Sequence, residues 1–442
     1  MSSLERSMRT ALASREARLI CRRLPSPSEA ALVDFTSNDY LSLASSPTLR
    51  TAFLAALQGA PDVLGSRGSR LLVNGAAHAE LEARLGRFFG GGAEGALLFT
   101  SGLDANAGFF ACVPQPGDCV VTDVHIHASV HDGVRASRCA RSHYSFAHNS
   151  VPALRAVLLM LLDERPGLGA GEGSVFVAVE SLYSMDGTFA PLTEIVEAAE
   201  TLFPAGNAYV VVDEAHATGI YGPQGRGLVA ALGLEERVFA RLHTFGKALA
   251  GSGAVLLTTP LTRSYLLNYA RPLIYTTALS YPAIVAASCA FDLLENGHAQ
   301  ELAKTVQDLS AHFVTSLQAC LRDARVPPEV LCLLPHLARP RADAIQSPII
   351  ALLTPLPRPL SAFLRGRGMN ARPITWPTVP RGGDRVRVCL HAGNTVAEVD
   401  ALVRGCVEWA EEHMREVERA ARRSEGWIEG AAGARVFAES KL

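Results

Sequence analysis

The stretch Ala208–Gly253, AYVVVDEAHATGIYGPQGRGLVAALGLEERVFARLHTFGKALAGSG, decides how the rest of the chain is read. Tyr209–Val212 is an unbroken apolar run that stops at Asp213, the mark of a strand buried on both faces. Three residues further on stands His216. A second short strand then delivers Thr244 and Lys247 onto a turn containing Gly246, Gly251 and Gly253. An acid at one strand's end and a lysine in a glycine-rich turn after the next suit a particular chemistry. The amine can form an imine with an aldehyde, and the carboxylate can keep a pyridine nitrogen protonated. The segment therefore predicts a pyridoxal phosphate site.

Each residue also has a plainer reading. A lysine in a glycine-flanked turn is usually solvated, with a pKa near ~10.4, and becomes a nucleophile only when desolvated or set beside positive charge. An aspartate after a strand is often the N-cap of the next helix. It is their conjunction at this spacing that favours the cofactor. His216 is placed to hydrogen-bond the cofactor's phenolic oxygen, and His127, in DVHIHAS, to lay its imidazole against the pyridine ring. Metal ligation by His125, His127 and His131 is disfavoured, because their spacing brings no cysteine or acidic partner, and no metal is expected.

Working outward, short apolar runs alternate with helical stretches from about Gly65 to Thr259. Candidate strands are Ala96–Thr100, Cys119–Thr122, Val175–Val179, Tyr209–Val212, Leu242–Phe245 and Ala254–Thr258. Such alternation predicts an α/β fold with a mainly parallel sheet covered on both faces, ligands lying beyond the strands' C-terminal ends. Ser101, Ser184, Asp213 and Thr244 all follow candidate strands closely. Ser101–Asn106, after the strand ALLFT, is a strand–turn–helix junction able to offer backbone donors to phosphate, with Thr244 adding a hydroxyl. Gly65–Arg70, GSRGSR, resembles a phosphate-binding turn but follows no clear strand, and serves equally as a contact for substrate or a second subunit.

Four segments are expected: an N-terminal segment 1–60, a large cofactor-binding domain 61–300, a small C-terminal α/β domain 301–425 and a tail 426–442. In the small domain, Leu302–Asp323 reads as a helix, Pro327–Pro340 as a loop, and Pro348–Leu353 and Val386–Leu390 as strands. Thr395-Val-Ala-Glu398 is a capping box opening a long helix. The residues after Glu425 are expected to be weakly structured.

Bulk properties limit the function. Of 442 residues, 48% are hydrophobic and 19% charged, which is globular, and the formal charge of −2 offers nucleic acid no attraction. Nine cysteines without CxxC spacing read as reduced thiols. Pro272–Phe291 carries two prolines and several polar residues, so no membrane span is expected. The first 25 residues read as a basic amphipathic helix, either a transit peptide or a structural element, and Glu5 and Glu16 favour the latter. The chain stops at Ser440-Lys441-Leu442, the tripeptide read by the peroxisomal import receptor, so peroxisomal localisation is expected.

From about residue 32 to 410 the chain resembles the alpha-oxoamine synthase family of pyridoxal phosphate enzymes. The carriers are FTSNDYLSL, GSRGSRLLVNG, LLFTSGLDAN, ESLYSMDG, VVDEAHATGIYGPQGRG, HTFGKALAGSGA, LIYTTALS and RPITWPTVP. The resemblance implies the type I, aspartate aminotransferase-like fold and a homodimer with shared sites. It assigns the covalent cofactor link to Lys247, the ring nitrogen to Asp213, ring stacking to His127, and the phenolic oxygen to His216 and Ser184. Phosphate would fall to Gly102, Leu103 and Thr244, helped by Thr277 of the other subunit. Arg372 with Thr378 resembles the substrate carboxylate site, and Asn38 and Arg22 resemble further substrate contacts. Arg67 departs from the family, which more often has glycine there.

The implied substrates are an amino acid and an acyl-CoA. Within the family the resemblance favours L-alanine and pimeloyl-CoA, condensed with release of CoA and carbon dioxide to 8-amino-7-oxononanoate, in biotin synthesis. Another amino acid and acyl-CoA pair is the alternative, and an aminotransferase of the same fold a more distant one.

Overall fold

The computed structural model describes residues 2–18, 20–60, 63–338 and 345–439, with side chains described as far as residue 420. Ser440-Lys441-Leu442 and part of the proline-rich loop lie outside the described residues. The chain divides into two compact units. One comprises Ser37–Gln307 and His391–Gly393, the other the chain up to Thr36, Asp308–Leu390 and the residues from Asn394 onward.

In chain order the strands among the described residues are β1 (Val33–Asp34), β2 (Ala96–Phe99), β3 (Cys119–Asp123), β4 (His143–Phe146), β5 (Val175–Glu180), β6 (Ala208–Asp213), β7 (Ala240–Thr244), β8 (Ala254–Leu257), β9 (Cys332–Leu333), β10 (Ile349–Leu353), β11 (Met369–Asn370), β12 (Arg372–Ile374) and β13 (Arg385–Cys389). The first unit is built on a seven-stranded sheet in the order β2-β8-β7-β6-β5-β3-β4. Strands β3 to β7 are parallel, and only β8 runs against its neighbours β7 and β2. This is the mainly parallel sheet expected from the alternating pattern. Every residue of β5 is buried, as its continuous run VFVAVE requires when helices cover both faces.

The parallel run brings the C-terminal residues of β3, β5, β6 and β7 to one edge: Asp123, Glu180, Asp213 and Thr244. Below that edge Phe109, Phe110, Val120, Phe176, Val211, Leu242 and Leu256 form a continuous apolar core. Strand β4 escaped the sequence reading. It lies at the sheet's edge, and of HYSF only Phe146 is buried, so no apolar run marks it.

Beyond β6 the chain turns through Gly219, Gly222, Gly225 and Gly227, all at positive φ. The reason at Gly227 is steric as well as conformational. A Cβ there would lie 1.8 Å from Glu214 Oε2. That oxygen accepts from Leu228 N at 2.8 Å while Oε1 accepts from Val229 N at 2.9 Å, so the carboxyl group cannot retreat without orphaning a helix start. Gly227→Ala is expected to destabilise the protein by about 3–5 kcal/mol, measured by urea unfolding. A loss below about 1 kcal/mol would show that the loop can relax.

Glu214 is fully buried, and burial pushes its pKa up to about 7, against the pull of those two backbone donors and Arg241. Folding therefore favours the protonated form. The stability this group contributes is complete below its unfolded value and is lost as pH rises from about 4.5 to about 7. Comparing unfolding free energies at pH 5 and pH 8, Glu214→Gln should show a fall smaller than the parent's by roughly 3 kcal/mol. Equal falls would remove Glu214 from this role.

The second unit carries an antiparallel sheet, β12-β13-β10-β9, and a parallel pair, β1 with β11. Pairing of Val33 with Met369 and full burial of Phe35 beside Phe313, Leu352 and Trp409 place the start of the chain in this unit. Helix His298–Asp323 and the strands at 349–353 and 385–389 lie where the sequence put them to within a few residues. The capping box forms: Glu398 N donates to Thr395 Oγ1 at 3.2 Å and Thr395 N to Glu398 Oε2 at 2.8 Å. Its helix runs Val396–Glu439, which corrects the weakly structured tail expected after Glu425. The helix Ser3–Ala17 also opens on a capping box, Ser2 with Glu5, and buries none of its residues. Among the described residues no helix is long and apolar enough to cross a membrane.

Candidate active site

Where β2, β5, β6 and β7 end, a cavity of about 140 Å³ is walled by Gly102, Leu103, Asn106, His127, Glu180, Asp213, Ala215, His216, Leu242, Thr244 and Lys247. Seven residues named from the sequence thus meet in one place. Asp213 ends β6 and is 8% exposed. Its Oδ1 accepts from Ala215 N at 2.9 Å and its Oδ2 from Asn106 Nδ2 at 2.8 Å. Asn106 also donates to Ser129 Oγ at 3.0 Å, which lies 2.7 Å from His127 Nδ1. One chain of bonds therefore fixes both the carboxylate and the imidazole.

His127 stands at the N-cap of helix Ala128–Ala136. Burial lowers its pKa, Asp213 opposing that shift and Lys247 assisting it, so the ring is neutral at physiological pH. A neutral, fixed imidazole suits stacking on an aromatic ring. His216, 5% exposed, has its Nδ1 2.7 Å from the hydroxyl of Tyr40, which in turn donates to Asn38 Oδ1 at 3.1 Å. Tyr40 thus links His216 to Asn38 and fixes the imidazole's orientation.

The end suited to phosphate is the start of helix Gly102–Cys112, where backbone N–H groups and the helix dipole favour an anion. Asp104 in the first turn would oppose this, but its Oδ2 accepts the Ser101 hydroxyl at 2.8 Å and its own N–H is capped by Ser101 Oγ. Thr244 is buried at the end of β7, with Oγ1 3.3 Å from the Gly253 carbonyl. Lys247 is half-buried in the turn that follows, its carbonyl accepting from Ala250 N at 2.9 Å.

Two wall residues were missed by sequence reasoning. Asn106 and Glu180 both stood inside quoted motifs without a role. Glu180 ends β5 in register with Asp213 and is 3% exposed. Burial, reinforced by the Asp213 charge and opposed by Lys247, raises its pKa well above the usual carboxylate range. The signal available was positional, since an acid closes both VFVAVE and AYVVVD.

Other expected residues lie elsewhere. Ser184 is half-buried in the turn after β5 and is not a wall of this cavity. Thr277 is exposed. Arg372, Thr378 and Arg22 belong to the second unit. There Arg372 Nη2 donates to Glu29 Oε2 at 3.0 Å, Thr378 N donates to the Thr375 carbonyl at 3.0 Å, and Arg22 is exposed. Arg67 has φ +60°, a backbone state that favours the glycine the family more often carries. In GSRGSR, Arg70 is not free to hold phosphate. It is 8% exposed, bonded to Glu82 at 2.7 and 3.1 Å and to Asn74 at 2.7 Å.

The donor set fits pyridoxal phosphate: a lysine, a buried carboxylate, a flat neutral imidazole, and a helix start with a threonine hydroxyl open onto one cavity. Residues 30–405 match the family described as aminotransferase class I and II. The chain is 47% identical to an 8-amino-7-oxononanoate synthase of Emericella nidulans over 92% of its length and 96% of that protein. It is 39% identical to the aminoacyl transferase sphA of Aspergillus fumigatus, covering 86% of the chain and 81% of the relative. Serine palmitoyltransferase of Sphingomonas wittichii superposes with a TM-score of 0.71 at 26% identity, over 86% of this chain and 87% of that one. The chain thus belongs to the alpha-oxoamine synthase family, as a pyridoxal phosphate-dependent acyltransferase of fold type I.

Proposed function

We propose that the protein condenses L-alanine with pimeloyl-CoA, releasing CoA and carbon dioxide and yielding 8-amino-7-oxononanoate for biotin synthesis. The observation that carries this reading is 47% identity, end to end, with the Emericella nidulans synthase, against 39% with the aminoacyl transferase. Pyridoxal phosphate, once bound, supplies the electron sink that makes the amino acid's α-carbon acidic. The chain's own groups do the rest. Lys247 holds the cofactor covalently and then, as a free amine, takes and returns the α proton. Asp213 keeps the ring nitrogen charged, and His127 covers one ring face. His216, with Ser184, holds the phenolic oxygen, while Gly102, Leu103 and Thr244 hold the phosphate, joined by Thr277 of a second copy in a homodimer. Arg372 with Thr378 receives the substrate carboxylate, and Asn38 and Arg22 contribute further substrate contacts. Ser440-Lys441-Leu442 directs the protein to the peroxisome, where chain-shortening of fatty acyl thioesters is a source of a dicarboxylic acyl-CoA.

The match to the aminoacyl transferase favours a second reading, another amino acid joined to another acyl group. Purified protein incubated with alanine, glycine or serine against pimeloyl-, acetyl- or palmitoyl-CoA separates them through thiol release. Preferred release with alanine and pimeloyl-CoA is expected. No release with that pair, but release with another, would replace the first reading by the second. A fluorescent fusion ending in Ser-Lys-Leu should appear as peroxisomal puncta that disappear when Leu442 is removed, and a diffuse parent fusion would reject the address.

A further inference from the structure

Beside the cofactor cavity, three side chains with no part in the proposed reaction converge from separate loops. His125 follows β3, His148 follows β4, and Asp186 lies in the turn after β5. One imidazole nitrogen from each histidine and one oxygen of Asp186 lie within 4.8 Å of one another. His125 Nδ1 is 3.0 Å from Asp186 Oδ2. The two imidazoles are stacked, with centroids 4.3 Å apart and planes at 24°.

The tautomer of His148 is set from behind. Its Nδ1 is 2.9 Å from Oδ1 of Asp123, a carboxylate with no exposure that also accepts from His125 N and Asn149 N at 2.7 and 2.8 Å. Nδ1 therefore carries the proton and Nε2 the lone pair. Consistently, the groups near Nε2 are able to donate to it: the Thr188 hydroxyl at 2.8 Å and the Asn149 amide nitrogen at 3.2 Å. A histidine whose far nitrogen is anchored on a buried carboxylate is the arrangement that prepares an imidazole to ligate a metal.

We propose that His125, His148 and Asp186 form a binding site for a divalent transition-metal ion of the zinc class. Two neutral imidazoles and a carboxylate, with one position left for water, are a donor set zinc accepts, at about 2.0–2.2 Å per ligand. The 3.0 Å between His125 Nδ1 and Asp186 Oδ2 is already close to the separation of neighbouring ligand atoms around such an ion. The His125 side chain, 27% exposed, gives the ion a way in. The bound ion would tie the β3 loop, which carries His127, to the turn that carries Ser184, stiffening two walls of the cofactor's surroundings without entering the reaction.

The test uses the intact holoenzyme, cleared of metal with a chelator and titrated with Co²⁺. One equivalent per chain is expected, with visible d–d absorption, no thiolate charge-transfer band, and displacement by Zn²⁺. His125→Ala and Asp186→Asn should each weaken binding by at least roughly 100-fold. His312→Ala, which disrupts a surface pair with Asp400, should leave it unchanged. Zn²⁺ should raise the unfolding temperature of the parent and not of the two site variants. A thiolate band, binding unaffected by both variants, or no binding up to about 1 mM ion would each overturn the proposal.

Discussion

Lys247→Ala is expected to lower kcat by about 10⁴-fold or more, the scale seen when a covalent catalytic group is removed. The parent should be yellow, and borohydride should fix the cofactor to residue 247. The variant should lose both properties while unfolding within about 1 kcal/mol of the parent, because Lys247 is only half-buried and packs no core. That combination separates a covalent role from a structural one. Turnover within tenfold of the parent, or a reducible chromophore surviving in the variant, would end the assignment. Lys247→Arg sharpens the test, since it keeps the positive charge beside Asp213 and His127 and removes the nucleophilic amine.

Asp213→Asn should give the next largest loss. A carboxylate about 4 Å from a pyridinium contributes about 4 kcal/mol at an effective dielectric near 20, worth roughly three units in the ring nitrogen's pKa. An amide of the same shape loses that charge, so kcat should fall about 10³-fold, with a much smaller change in KM for the amino acid. Asp213→Glu should recover part of the rate. The bonds from Asn106 and Ala215 already hold the native carboxylate in place, so the effect of the amide is electronic more than positional. A loss below tenfold would mean that the ring nitrogen works without this charge. Loss of kcat together with collapse of the fold would instead make Asp213 a structural residue.

Much of the fold was legible because burial on both faces writes itself into the chain. The apolar runs in VFVAVE and AYVVVD read as interior strands, and the ligand-binding edge was placed at the strands' C-terminal ends, where Asp213 stands. HYSF was not legible as an edge strand, since one-sided burial leaves no apolar run. The strands at 332–333, 369–370 and 372–374 are too short to carry a period. The helix runs to Glu439 although Gly426, Gly430 and Gly433 disfavour one, so local propensity gave no sign of the extension. At the site, Lys247, Asp213, His216 and Thr244 could be read from local spacing. Tyr40 could not, because its partner His216 lies 176 residues away and nothing local in FTSNDYLSL points to a histidine.

The histidines show the same division. His125, His127 and His131 looked like a weak metal pattern because spacing supplied no acid. The fold instead pairs His125 with Asp186 and His148, and sends His127 into the cofactor cavity. By itself the sequence determined the sheet class and picked out Lys247 and Asp213, which line one cavity, since these depend on neighbours a few residues apart. Only the tertiary structure decided which side chains complete the site and which are already engaged. Glu180 beside Asp213, Asn106 bridging to Ser129, and Arg70 taken by Glu82 all depend on contacts between distant segments, and burial and hydrogen bonding act through space without regard to chain order.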